Sequence, residues 1–274
     1  MKKAAFLLVL AFVLSAINAQ KALQNTDSLT AAMHEIPKVN FKPFAKGERL
    51  EYLVHYGFVD AGIATITVDK GNYKVGDKEV LKVLGTGRSK GAFDWFFKVR
   101  DYYESYIDPE EVKPYEFKRD INEGGYKFKQ HYRFYHDENK VVDNRKNKEV
   151  EAPAGIQDMI SAYFFARTID LDQYKIGDVI VFHAFVDGKV EPLKIRYKGI
   201  EKVEVESGTF SCLKFQPLVQ KGRIFKDEED LTLYISNDKN RIPVLAQAKV
   251  LVGSIKMELI SYKGISHPVA KVKS

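Results

Sequence analysis

Tyr126-Lys127-Phe128-Lys129-Gln130-His131-Tyr132-Arg133-Phe134 alternates large, mostly aromatic side chains with cations and a histidine. A period of two puts successive side chains on opposite faces of an extended strand, and these residue types suit a pleated surface. The same period runs through Leu50, Tyr52, Val54 and Tyr56, and through Ala64, Ile66 and Val68. Turn residues separate such runs, among them Gly71-Asn72, Val75-Gly76-Asp77, Glu123-Gly124-Gly125, Asp137-Glu138-Asn139, Ser207-Gly208 and Asn237-Asp238. Each turn holds residues that reach positive φ or bond their own backbone at low cost. Asp187-Gly188, between 182–186 and 190–197, is a two-residue hairpin signal. Roughly a dozen or more strands follow, and short connections make neighbours antiparallel. The fold class is therefore all-β: a large antiparallel meander sheet folded on itself, half-barrel or sandwich-like, with one main short helix.

That helix is expected near 156–168. Ile156, Ile160, Tyr163 and Phe164 recur there at helical spacing, with Pro153 and Gly155 at the entry. Its aromatic stripe should pack on the sheet, because an all-β chain offers it no other partner. The helix joins two strand sets, 47–150 and 176–263, of a single β domain over 47–263. Residues 20–46 read as a flexible lead-in with a short helix over 28–35, and 264–274 as a tail.

The N-terminus gives the compartment. Met1-Lys2-Lys3 is a positive start, 4–16 is an almost unbroken apolar run, and Ile17-Asn18-Ala19 offers a small residue at a cut. This is the pattern of a secretory signal over 1–19, cleaved after Ala19. Gln20, not a cysteine, follows the cut, so the protein is expected not to be a lipoprotein. It is exported, periplasmic or secreted. The one cysteine, Cys212, excludes an internal disulfide. No later stretch reaches the ~20 apolar residues of a membrane span, so no transmembrane anchor is expected after signal removal. The formal net charge of +6 drops to +4 once Lys2 and Lys3 leave. Such an excess suits a solvated surface, anionic lipid head groups or acidic glycans. The compartment argues against nucleic acid as a partner, and the sequence sets no oligomeric state.

Motifs for chemistry are missing. The histidines, at 34, 55, 131, 136, 183 and 267, lack metal-site spacing, and no cysteine cluster accompanies them. Gly85-Thr86-Gly87 has no Lys-Ser/Thr after it and lies in a strand-like run, so it is no phosphate loop. Gly-x-Ser-x-Gly is absent. Cys212 stands among Phe210, Leu213 and Phe215 and reads as buried. Ser161 and Asp158, one helical turn apart, read as a local cap. Asp227-Glu228-Glu229-Asp230 reads as a charged loop. No catalytic residue, metal or cofactor is assigned.

Three landmarks carry a resemblance. Asp158-Met159-Ile160-Ser161-Ala162-Tyr163-Phe164-Phe165-Ala166-Arg167 resembles Asp-x-x-Ser-x-x-Tyr-x-x-Arg with an adjusted gap. Glu206-Ser207-Gly208-Thr209-Phe210-Ser211-Cys212 precedes Phe215 and Pro217. Leu233-Tyr234-Ile235-Ser236-Asn237-Asp238 is followed by Arg241-Ile242-Pro243-Val244 and Val252-Gly253-Ser254-Ile255. In this order they resemble the bacterial exported family called domain of unknown function 3108, over about residues 45–263. The resemblance implies a long antiparallel sheet folded on itself, of the type called YmcC-like, and transfers no catalytic residue.

What remains is surface. Gly91-Ala92-Phe93-Asp94-Trp95-Phe96-Phe97 holds the only tryptophan and reads as a short helix or an aromatic loop. Phe93, Trp95, Phe96 and Phe97, bordered by Lys90, Lys98 and Arg100, form the candidate ligand-binding set: a lip at a groove entrance, a membrane-touching loop, or a plug that caps the sheet. The sequence points to an exported noncatalytic binding or accessory protein of the cell envelope, for a ligand such as a lipid or lipid-linked glycan. Two alternatives stand beside it. One is an enzyme acting on envelope glycans through acids such as Asp158 or those of 227–230. The other is a structural interaction module that pairs through a sheet edge.

Overall fold

Alternation decides which side of each strand is covered. In the opening stretch Gln130, Tyr132 and Phe134 are buried while Arg133 and Tyr135 face water. Toward its start the strand runs out past the core, so Phe128 is half-buried and Tyr126 exposed. The computed structural model describes residues 36–219, 225, 227 and 229–272. The expected signal segment and the helix over 28–35 lie outside them.

The first strand set comprises β1 (Arg49–Tyr56), β2 (Val59–Val68), β3 (Tyr73–Val75), β4 (Lys78–Ser89), β5 (Arg100–Ile107), β6 (Pro114–Glu123), β7 (Tyr126–Tyr135), β8 (Lys140–Asp143) and β9 (Lys148–Glu151). Helix α1 (Gly91–Phe96) separates β4 from β5, and α2 (Ser161–Arg167) follows β9. The second set is β10 (Val179–Val186), β11 (Lys189–Val205), β12 (Gly208–Pro217), β13 (Leu231–Ser236), β14 (Pro243–Lys249) and β15 (Ser254–Lys263). All strands form one antiparallel sheet in the order β10-β11-β12-β13-β14-β15-β1-β2-β4-β5-β6-β7-β8-β9, with β3 as a hairpin on β4. The two sets join where the last strand pairs with the first, as in Leu50↔Tyr262 and Val54↔Met257. Asp187 and Gly188, at φ 52° and 84°, close the β10–β11 hairpin, with Val186 opposite Lys189.

The sheet curls without closing, and its terminal strands are β10 and β9. Side chains rather than ladder hydrogen bonds bring the two ends together. The Phe185 ring on β10 meets Tyr132 at 4.9 Å and Phe134 at 6.3 Å on β7, both edge-on. Arg119 of β6 reaches Asp187, and Gln130 Nε2 donates to Asp187 Oδ1 at 3.2 Å. The result is a half-barrel with its core on the concave side.

Helix α2 lies in that concavity. A Cβ on Gly85 of β4 would sit 3.3 Å from both Ile160 Cδ1 and Tyr103 Cβ, so glycine leaves room for the helix entry. The helix starts at Ser161, later than its hydrophobic spacing suggests. Residues 156 and 157 are instead extended against β10: Gln157 N–H donates to His183 O at 3.0 Å and Phe185 N–H to Gln157 O at 2.7 Å. Phe164 is fully buried, whereas Tyr163 is half-buried. Among the described residues no helix is long and apolar enough to cross a membrane.

Candidate functional site

The helix motif is built first from its own polar groups. Asp158 Oδ1 accepts from the Ile160 and Ser161 amides at 2.6 and 2.7 Å, and Asp158 N–H donates to Ser161 Oγ at 2.8 Å. This is the reciprocal arrangement of a capped helix start. Ser105 Oγ donates to the second carboxylate oxygen at 2.5 Å. Burial raises the Asp158 carboxyl to about 6, against the pull of these hydrogen bonds. At the far end Arg167 forms a bidentate pair with Glu48, at 2.6 and 2.8 Å, and donates to Asn240 O and Pro43 O. Phe44, Tyr163 and Phe164 lie within 5.3 Å of its guanidinium carbon. Aspartate and serine thus cap the start of the helix and tie it to β5, and arginine ties its end to the segment before β1 and to the 237–242 turn.

Beside α2 the packing opens. A cleft of about 120 Å³ lies between Met159, Ala162, Tyr163 and Ala166 on the helix side and the concave faces of β10 to β15. Phe182, Leu193, Leu213, Phe215, Ala246 and Met257 line it on the sheet side, and half-buried Leu171, Ile195 and Leu233 complete the wall. Two cations belong to the lining, Arg167 and Arg241. Arg167 is committed to Glu48. Arg241 is half-buried, donates to Ile169 O, and has no ion pair among the described residues. An apolar wall with a cation beside it has the chemistry to hold a hydrocarbon chain that ends in an anion.

The residues singled out from sequence lie elsewhere, and none of the seven lines the cleft. In α1 the rings divide by helical spacing. Phe93 and Phe97 turn toward the core, their centroids 6.4 Å apart, while Trp95 and Phe96 are 84% and 76% exposed. Arg100 fixes the segment by donating to Asp94 at 2.7 and 3.1 Å, and Ser89 Oγ also bonds Asp94. The guanidinium and the Ser89 hydroxyl lower the Asp94 carboxyl to about 2. Lys90 pairs with Asp60 at 3.3 Å, and Lys98 is exposed. Gly124, at φ 55°, holds the β6–β7 turn against the Phe97 ring, and any Cβ there would collide with it.

Behind α1 sits a pair the sequence did not reveal. Asp101 on β5 and Glu123 at the end of β6 sit close enough for their charges to interact, near Arg119, while Asp101 Oδ1 accepts from the Asn122 amide at 2.9 Å. Burial, and for Glu123 also the Asp101 charge, raises both carboxyls above the usual carboxylate range. Their distance in sequence and the absence of a motif hid them. The folded state therefore holds protons that the unfolded chain releases near pH ~4. The pair's contribution is full below that value and is lost as pH rises through the raised titration range of the two carboxyls. Glu123→Gln should flatten this fall. Urea midpoints recorded from about pH 5 to about pH 9 should decline for both wild type and variant, because Asp158 is raised in each, but should decline less for the variant, most clearly in the upper half of the range. Parallel curves would contradict the assignment.

The remaining reactive groups are quiet. Cys212 is fully buried, and burial pushes its thiol up to about 12. In the acidic run, Asp230 accepts from the Asp227 amide at 2.8 Å and Glu229 pairs with Arg196.

The chain belongs to the family described as protein of unknown function DUF3108, which matches residues 51–260. A beta-barrel-like protein of domain of unknown function DUF1849 from Brucella abortus superposes with a TM-score of 0.50 at 10% identity. The alignment covers 82% of this chain and 99% of that one. A Bacteroides fragilis protein with a YmcC-like fold aligns with a TM-score of 0.32 at 12% identity, over 81% of this chain and 98% of its own. At such identity the likeness to the Brucella protein concerns the fold alone. No curated protein matches the chain.

Proposed function

We propose that this family member is an exported, noncatalytic binding protein of the cell envelope that holds the apolar part of an amphiphile, such as a lipid or a lipid-linked glycan, beside α2. The observation that carries the reading is the cleft of about 120 Å³ walled by aliphatic and aromatic side chains. Well-packed interiors rarely leave such space, and engineered apolar cavities of about this size take up a small hydrocarbon. Each methylene buried there contributes about 0.8 kcal/mol. Arg241 supplies a charge for an anionic head, and the signal read at 1–19 supplies the compartment. The enzyme alternative has less support, since Asp158 serves as a fully buried helix cap.

The test is titration with an environment-sensitive naphthyl dye, followed by displacement with a saturated fatty acid and with the corresponding alcohol. Saturable binding at one site is expected, with the acid displacing more strongly than the alcohol. Ala246→Met fills the cleft and should weaken both by about tenfold, while circular dichroism confirms the retained fold. Arg241→Gln should remove the preference for the acid. Dye binding that neither competitor displaces, or that Ala246→Met leaves intact, would refute the cleft as the site.

A further inference from the structure

In an antiparallel meander, successive connections alternate between the two ends of the sheet. Counting strands places the β1–β2 turn, α1, the β6–β7 turn and the β14–β15 turn at one end. That end carries Phe58, Val59, Trp95, Phe96, Leu251 and Val252, all exposed, with Phe58 wholly so and Val252 63% so. The turns meet one another. Tyr56 hydroxyl donates to Val252 O at 2.8 Å, and its ring lies 6.3 Å from Phe93. Lys90 N–H donates to Ala61 O at 3.0 Å, tying α1 to β2. The exposed rings are therefore carried on a fixed rim and are not scattered surface residues.

Charge distinguishes what this rim fits. Two of its acids are ion-paired, Asp94 with Arg100 and Asp60 with Lys90 and His55. Lys98, Lys127 and Lys249 are exposed around it and make no ion pair among the described residues. The acidic residues Asp227, Glu229 and Asp230 occupy the same end but precede β13, on the other side of β14. An apolar tip with a tryptophan, ringed by unpaired lysines, matches a bilayer interface, where rings enter below the head groups and lysines meet their phosphates.

We propose that this rim docks on the surface of an anionic lipid bilayer, with Phe58, Trp95, Phe96 and Val252 entering the interface and Lys98, Lys127 and Lys249 meeting head groups. The proposal stands apart from the cleft, since no rim residue lines it.

Trp95 is the only tryptophan, so its emission reports on the rim alone. Titration with phosphatidylglycerol–phosphatidylcholine vesicles should give a saturating blue shift, and pure phosphatidylcholine a weaker one. The double variant F58S/F96S should weaken vesicle binding by at least about tenfold, since two exposed rings would no longer be buried. K98E/K127E should reduce binding to the anionic vesicles and little to the neutral ones. Wild type and variants share the apolar segment 4–16, so that segment cannot account for a difference between them. Ala246→Met should bind vesicles like the wild type, which separates failure of the rim from failure of the cleft. No shift with either vesicle, or a shift that F58S/F96S leaves unchanged, would overturn the proposal.

Discussion

Arg167→Met is expected to destabilise the protein by about 3–5 kcal/mol, because it strands a carboxylate rather than merely deleting a contact. Arg167 and Glu48 have side-chain exposures of 2% and 1%, and they face each other through two charge-assisted hydrogen bonds. Methionine preserves much of the stem's packing against Phe44, Tyr163 and Phe164, so most of the loss reports the unpaired Glu48. The same substitution frees Asn240 O and Pro43 O, which Arg167 now satisfies. Adding Glu48→Gln should recover part of the loss, because an amide costs less than a charge to bury. The measurement is urea unfolding of wild type, both single variants and the double. A single-variant loss below about 1 kcal/mol would mean that water reaches Glu48 and that the pair is not a buried anchor.

This pair marks where the sequence stops being legible. Strand alternation depends on neighbours in the chain, so Leu50, Tyr52, Val54 and the 126–134 stretch announce their faces without tertiary information. Asp158 and Ser161 are equally local, and the cap they form is readable as one. Arg167 is different: its partner is 119 residues away, and only the pairing of β15 with β1 brings that region together. The cleft is harder still, because its wall takes side chains from α2 and six strands of the second half and the junction. The α1 segment stood out because four rings adjoin in sequence. Phe58-Val59 and Leu251-Val252 give a weaker signal, because each is a short apolar pair at a turn, although strand parity places both at the end that carries α1.

Phe164→Ala should cost about 3–5 kcal/mol, the range for emptying a large ring from a core that cannot fully collapse. Phe164 has no solvent exposure. Its ring packs edge-on against Phe44 at 4.7 Å and against Tyr163 at 4.8 Å, with the Arg167 guanidinium carbon 5.3 Å from its centre. Collapse is resisted on two sides. The Arg167–Glu48 pair holds one end of α2, and Asp158 with Ser105 holds the other, so the helix cannot slide inward to refill the space. Tyr163→Ala is the informative contrast. Tyr163 is half-buried on the cleft wall, so its loss enlarges space that is already open. Tyr163→Ala should therefore cost less than Phe164→Ala and should alter dye binding in the cleft, which Phe164→Ala leaves nearer the wild type. Equal losses for the two, measured by urea unfolding, would place both rings in one continuous core and remove the distinction between anchor and wall on which the cleft depends.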